Sequence, residues 1–129
     1  MFLSTLSDPQ KEAFMGLAHN VVVSDGDLTV EEQAMMEDMR REMDLPPGYE
    51  ATYLDIEGIE EVFDSKKTQA IALLSLIRLG YADGAFEIEE QCFLRDLSRK
   101  FSTSERDFGL IDNWVKRLLA LHREALLFF

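Results

Sequence analysis

Two stretches of this chain, Ser24–Gln33 and Ala82–Gln91, align without a gap at an offset of 58 residues. Asp25, Gly26, Glu31, Glu32 and Gln33 recur as Asp83, Gly84, Glu89, Glu90 and Gln91. The agreement runs on: Val30, Ala34, Met35, Met36, Met39 and Met43 are matched by Ile88, Cys92, Phe93, Leu94, Leu97 and Phe101, all apolar, and Arg41 by Arg99. A turn followed by a matching helical face is a repeated structural unit. The expected fold is therefore all-α, with two pseudo-symmetric helix–loop–helix halves. Repeat one covers about residues 9–43 and repeat two about residues 67–101.

Helical periodicity governs the rest. Asp8-Pro9 reads as a helix entry, with Asp8 as cap and Pro9 at the first helical position. That helix runs to about Ser24 and stops at Asp25-Gly26. A second starts after Thr29 and ends near Met43, ahead of Asp44-Leu45-Pro46-Pro47-Gly48. A short acidic helix is expected over Asp55 to Phe63. Ser65 caps a helix over about 66–82 that is apolar almost all round, so it should lie buried at the centre. Two more are expected, over about 88–101 and from about 104 onward. Alternating runs with hairpin chemistry are absent from the sequence.

At 129 residues, the chain has room for one domain, 1–129, with one core. An apolar content of 47 % sets it apart from disordered chains. The net charge of −12 argues against nucleic acid, whose phosphates need clustered Lys and Arg, and against anionic membrane surfaces. Residues 1–94 hold 20 acids and 6 bases, a balance of −14; residues 95–129 hold 5 acids and 7 bases, a balance of +2. This asymmetry fits either a self-repelling soluble surface or attraction for cations or a basic protein face. The single cysteine, Cys92, falls on an apolar helical stripe and reads as a buried structural thiol. No signal-peptide pattern and no long apolar span is present, so a cytoplasmic protein is expected.

The two loops admit two explanations. Thr29 and Glu32 have capping-box spacing, and Glu31 and Glu32 suit the positive end of a helix dipole. Folding alone then accounts for copy one. Copy two has Glu87 at the cap position, a poor N-cap, yet keeps Asp83, Glu89 and Glu90. The alternative is a hard-cation site for calcium or magnesium, which take carboxylate and hydroxyl oxygens. Loop one offers Asp25, Asp27, Thr29 and Glu32; loop two offers Asp83, Glu87 and Glu90. Neither loop has the His or Cys of a dedicated zinc site. An EF-hand is excluded: with Gly26 at its sixth position, the first and third fall on Val21 and Val23, which cannot ligate.

An all-helical chain of this size with paired Asp-Gly-x-x-x-x-x-Glu turns resembles the tellurite-resistance TerB-like family. The resemblance covers about residues 8–125 and rests on Ser24-Asp25-Gly26 with Glu31-Glu32, and Ala82-Asp83-Gly84 with Glu89-Glu90. It implies a helical bundle with internal pseudo-symmetry, an acidic face that binds divalent cations, no catalysis, and a role in tellurite and stress resistance. The family's functional acids fall on Asp25, Glu32, Asp83 and Glu90. Ser24 stands where the family has alanine, which leaves the turn intact.

Other chemistry is sparse. His19 and His122 lack partners at metal-ligand spacing, and no phosphate loop or nucleophile elbow occurs. The chain is not expected to be an enzyme. Met35, Met36, Met39 and Met43 read as core. The tip Leu126-Leu127-Phe128-Phe129 is apolar and is expected either to fold back or to form a homodimer contact. Two functions follow: a cation-binding domain of the TerB-like kind, or an acidic module that docks a basic partner with any metal incidental.

Overall fold

A computed structural model describes residues 1–24, 26, 28–84 and 86–129. Among these, every regular element is helical: α1 (Asp8–Val23), α2 (Val30–Glu42), α3 (Ile59–Val62), α4 (Lys66–Gly80), α5 (Ile88–Lys100) and α6 (Glu105–Ala125). Short 3-10 turns cover Leu3–Thr5 and Leu126–Phe128. No helix among the described residues is long and apolar enough to cross a membrane.

The helix starts are set by side chains that satisfy orphan backbone N–H groups. Ser7, not Asp8, caps α1: its hydroxyl accepts from the Gln10 N–H at 3.3 Å, and Gln10 Oε1 accepts from the Ser7 N–H at 3.0 Å. A reciprocal box outcompetes a lone aspartate, and Asp8 becomes the first helical residue. Thr29 and Glu32 form the expected box on α2, at 3.1 and 3.0 Å. Ser65 and Ser104 cap α4 and α6 through the N–H groups of Thr68 and Asp107.

The sequence repeat reappears as repeated backbone hydrogen bonding. Gly26 N–H donates to the Val23 carbonyl at 3.1 Å and Gly84 N–H to the Tyr81 carbonyl at 2.9 Å. Both glycines have positive φ, +85° and +88°, which a side chain would resist. At the far ends of α2 and α5, Asp44 and Ser102 turn left-handed at φ 56° and 55°. Leu45 N–H then reaches back to the Arg40 carbonyl at 3.1 Å, and Thr103 N–H to the Ser98 carbonyl at 2.8 Å. These are Schellman closures, which satisfy the last carbonyls of each helix.

α4 lies at the centre, with Ala72, Leu73, Leu76, Ile77 and Leu79 fully buried. It packs against α1, α2, α5 and α6, while α1 packs against α2, α4 and α5. Phe14, Leu17 and Val21 of α1, Met39 and Met43 at the end of repeat one, and Leu94, Leu97 and Phe101 of repeat two join one core. Phe63 meets Phe101 edge to face at 5.9 Å. The long connection between α2 and α4 is tied down by buried amides. Asn20 both donates to and accepts from the Leu54 backbone, at 2.6 and 3.1 Å, and Gln10 donates to the Val62 carbonyl at 3.0 Å.

Three further expectations change. The acidic helix shrinks to Ile59–Val62, because Gly58 in a left-handed conformation ends the preceding turn. α4 stops at Gly80, where the Tyr81–Gly84 turn begins. Cys92 is exposed. It shares an outward stripe with Ile88, just as Ala34 shares one with Val30, and Val30 and Ile88 are 77 % and 68 % exposed. The apolar inner face of each second helix begins only at Met35 and Phe93, one turn after the buried Glu32 and Glu90.

Candidate functional site

Glu32 and Glu90, at the N-termini of α2 and α5, are almost fully buried, at 2 % and 1 % exposure. A carboxylate in the first turn meets unbonded N–H groups and the positive end of the helix dipole, so burial is tolerated there. Glu32 accepts from the Thr29 N–H at 3.0 Å and Glu90 from the Glu87 N–H at 3.1 Å. The reaching-back half of the capping box is thus common to both copies, although Glu87 replaces Thr29 at the cap.

The remaining candidate ligands divide. Asp83 and Glu87 are exposed. Asp25 and Asp27 lie outside the described residues. Among the described residues, no three His, Cys, Asp or Glu side chains come together as a set able to hold a metal ion. Asp83, Glu87 and Glu90 therefore share a loop without converging on one point. The donor chemistry, carboxylate oxygen at both loops, suits a hard cation.

Loop two has an anchor that the sequence did not reveal. Phe86 packs edge to face on Tyr81 with centroids 4.8 Å apart. Its ring also sits where a side chain on Gly80 would be, 2.7 Å from the position of a β-carbon there. The Phe86 carbonyl accepts from Gln91 Nε2 at 2.7 Å. Leu28, its counterpart in loop one, is 48 % exposed. The Gly80–Phe86 pair, a helical glycine followed six residues later by an aromatic, is the signal that could have found this packing.

Tyr81 also connects the loop to α6. Its hydroxyl donates to Asp112 Oδ1 at 2.8 Å, and Lys116 Nζ approaches Asp112 Oδ2 at 3.1 Å. Burial first, and the Asp112 carboxylate second, hold the Tyr81 phenol above its ordinary value. At the far end of α5, Lys100 donates to Glu57 of the acidic stretch 50–64 at 2.9 Å. Glu57 in turn raises the Lys100 ammonium above its usual range.

A second basic group stands apart. Arg78, on α4, is half-buried, and its Nε has no hydrogen-bond partner among the described residues. Burial lowers its guanidinium below the usual arginine value.

No protein-family model matches the chain, and neither a curated protein nor a solved structure matches it. The residues themselves therefore carry the functional argument.

Proposed function

We propose that this chain is a non-enzymatic, cytoplasmic, acidic domain that binds a divalent cation, calcium or magnesium, at its two Asp-Gly loops. The repeat of buried Glu32 and Glu90 beside left-handed Gly26 and Gly84 carries the reading. Capping explains the backbone bond that Glu32 accepts from Thr29 and Glu90 accepts from Glu87. It does not explain why acids recur at Asp83 and Glu89, since Glu87 and Glu90 already close a capping box on α5. In this reading the ligands come from Asp25, Asp27 and Glu32 in the first loop and Asp83, Glu87 and Glu90 in the second. The halves are related by a pseudo-twofold axis. The reciprocal packing of α1 on α5 and α4 on α2 supports that relation. As in the TerB-like family that the sequence resembles, the role would lie in tellurite or stress resistance rather than catalysis.

A heat-denaturation series tests it. A bound ion stabilises the native state by about 2.7 kcal/mol at a hundredfold excess over its dissociation constant. Millimolar calcium or magnesium is expected to raise Tm more than sodium chloride of equal ionic strength. Asp25→Asn combined with Asp83→Asn is expected to remove the excess. Equal responses to the matched salts would mean charge screening alone.

A second reading draws on the stretch 50–64. All six of its acids are exposed, and among the described residues only Glu57 lies within ion-pair distance of a base. That surface suits a basic partner face. Partner binding that persists in chelator and in the double variant would favour it. Leu126–Phe129, 68–97 % exposed, offers the contact for a homodimer.

A further inference from the structure

α6 carries two apolar stripes, and the core uses one. Phe108 and Val115 are buried, and Ile111 and Leu119 pack against the core beside them. A second stripe follows Asp107, Leu110, Trp114, Arg117 and Leu121, at steps of three, four, three and four residues. These five fall within an arc of about 80° on a helix of 3.6 residues per turn. The spacing is the 3.5-residue repeat by which helices pair. Leu110 and Leu121 are 54 % and 60 % exposed, and Asp107 and Arg117 are exposed as well. Trp114 is half-buried between two open hollows of about 370 and 180 Å³. Leu110 and Phe2 line the first hollow, and Arg117 and Leu121 line the second.

Charge is ordered along the same helix. Glu105, Arg106, Asp107 and Asp112 give residues 105–114 a balance of −2; Lys116, Arg117, Arg123 and Glu124 give residues 115–125 a balance of +2. α6 is thus neutral in a chain of net charge −12, so two copies repel each other least where α6 meets α6. Antiparallel apposition sets each acidic half against a basic half and also opposes the two helix dipoles. The outer stripe repeats that order, with Asp107 before Leu110 and Trp114 and Arg117 after them. Both pairs, Asp107 with Arg117 and Leu110 with Trp114, are centred on residue 112. A twofold axis at that point sets Asp107 opposite the partner's Arg117, and Leu110 opposite the partner's Trp114. Among the described residues, neither Asp107 nor Arg117 forms an ion pair within one copy.

We propose that the outer stripe of α6 docks a second copy of this chain, as a symmetric antiparallel pair of α6 helices. Leu110 and Trp114 meet at the axis, and an Asp107–Arg117 pair closes each side. A twofold contact must be complementary to itself, and this stripe is so in both its apolar and its charged positions. The apolar centre supplies the affinity, while the charges fix register and direction. A lipid surface is the poorer occupant, because anionic headgroups repel a net charge of −12. The proposal rests on the homodimer reading above, extends its contact from the tip onto α6, and is independent of the cation reading.

Sedimentation of the full chain from about 1 μM to about 1 mM spans the dissociation constants of weak pairs. A dimer is expected as concentration rises, with the emission of Trp114, the single tryptophan, moving to shorter wavelength. Asp107→Arg and Arg117→Asp, made singly, should each weaken it by about 10–100-fold, because a symmetric contact meets each change twice. Both changes in one chain should restore the dimer, and the two single variants mixed together should form a heterodimer. That mixture separates lost pairing from lost folding, and circular dichroism checks that each variant stays helical. A chain that remains monomeric throughout would overturn both this proposal and the homodimer reading. A dimer indifferent to both charge reversals, yet dissolved by Leu127→Ser with Phe128→Ser, would overturn this proposal alone and leave the tip as the contact.

Discussion

The Tyr81 hydroxyl, on the turn that opens loop two, donates to the Asp112 carboxylate of α6 over 2.8 Å. The bond ties the second loop to the last helix. The phenol's proton is held by burial and by Asp112, so its value rises above the ordinary 10.0 on folding. A group raised in this way adds stability that is complete below its unfolded value and is lost as pH climbs through the folded value. The window therefore opens above about pH 10. Tyr81→Phe is expected to cost about 1 kcal/mol at neutral pH. The gap between wild type and variant should narrow as pH rises past the tyrosine range. A gap that stays constant to high pH would show that Tyr81 contributes packing alone.

Glu32 and Glu90 give a paired prediction. Each accepts from the backbone N–H three residues earlier, at 3.0 and 3.1 Å. In metal-free buffer, Glu32→Ala and Glu90→Ala should each cost about 0.5–2 kcal/mol, the range for a lost cap. Glutamine keeps the accepting oxygen. Glu32→Gln should therefore restore much of that stability while weakening any response to calcium or magnesium. Urea titration of the four proteins, with and without the ion, separates the two roles. If glutamine fails to restore stability without metal, the backbone bond is not what these residues supply.

Glycines of the same type should respond in opposite directions. A β-carbon on Gly16 would lie 2.8 Å from the β-carbon of Leu54. Leu54 cannot retreat, because Asn20 holds its backbone through two hydrogen bonds. Gly16→Ala should therefore destabilise by about 1–3 kcal/mol, as overpacking does. Nothing lies within 4 Å of the same position on Gly109, in α6. There, Gly109→Ala should raise stability by up to about 1 kcal/mol through helix propensity. Thermal melts of both variants check the sign of each. A stabilising Gly16→Ala would mean that the connection over α1 is looser than its hydrogen bonds imply.

Much of this architecture is legible in the sequence, and the reasons are local. Thr29 with Glu32, and Ser65, are signals that act within four residues, and each sits at the helix boundary it marks; Asp83-Gly84 lies three residues past the end of α4. Cys92 was misread because an apolar stripe does not say which part of it faces inward. Ile88 and Cys92 lie on the outside, and the apolar packing of this helix begins at Phe93. Asp8 was misread because Ser7 and Gln10 form a reciprocal box one residue earlier. The candidate site was legible as chemistry but not as geometry. Spacing placed Glu32 and Glu90 at helix starts, whereas their burial depends on packing contributed by the whole bundle. The Gly80–Phe86 packing and the half-burial of Arg78 depend on tertiary neighbours, which no spacing rule encodes.

The repeat itself makes the last prediction. Asp44 and Ser102 stand at the same place after α2 and α5, both left-handed at φ 56° and 55°. That conformation crowds a β-carbon against the following carbonyl and costs about 1–2 kcal/mol for residues other than glycine. The Schellman closures fix it in place, through Leu45 to Arg40 and Thr103 to Ser98. Glycine is the usual residue there, because it escapes the clash. It also loses more chain entropy on folding, which offsets part of the gain. Asp44→Gly and Ser102→Gly are each expected to stabilise by about 0.5–1 kcal/mol. The two sites share no hydrogen-bond partner, so the double variant should show the sum of the single effects. Chemical denaturation at one pH measures all three. If one site gains and the other loses, the two helix ends are not equivalent in energy, and the repeat is a likeness of backbone geometry only.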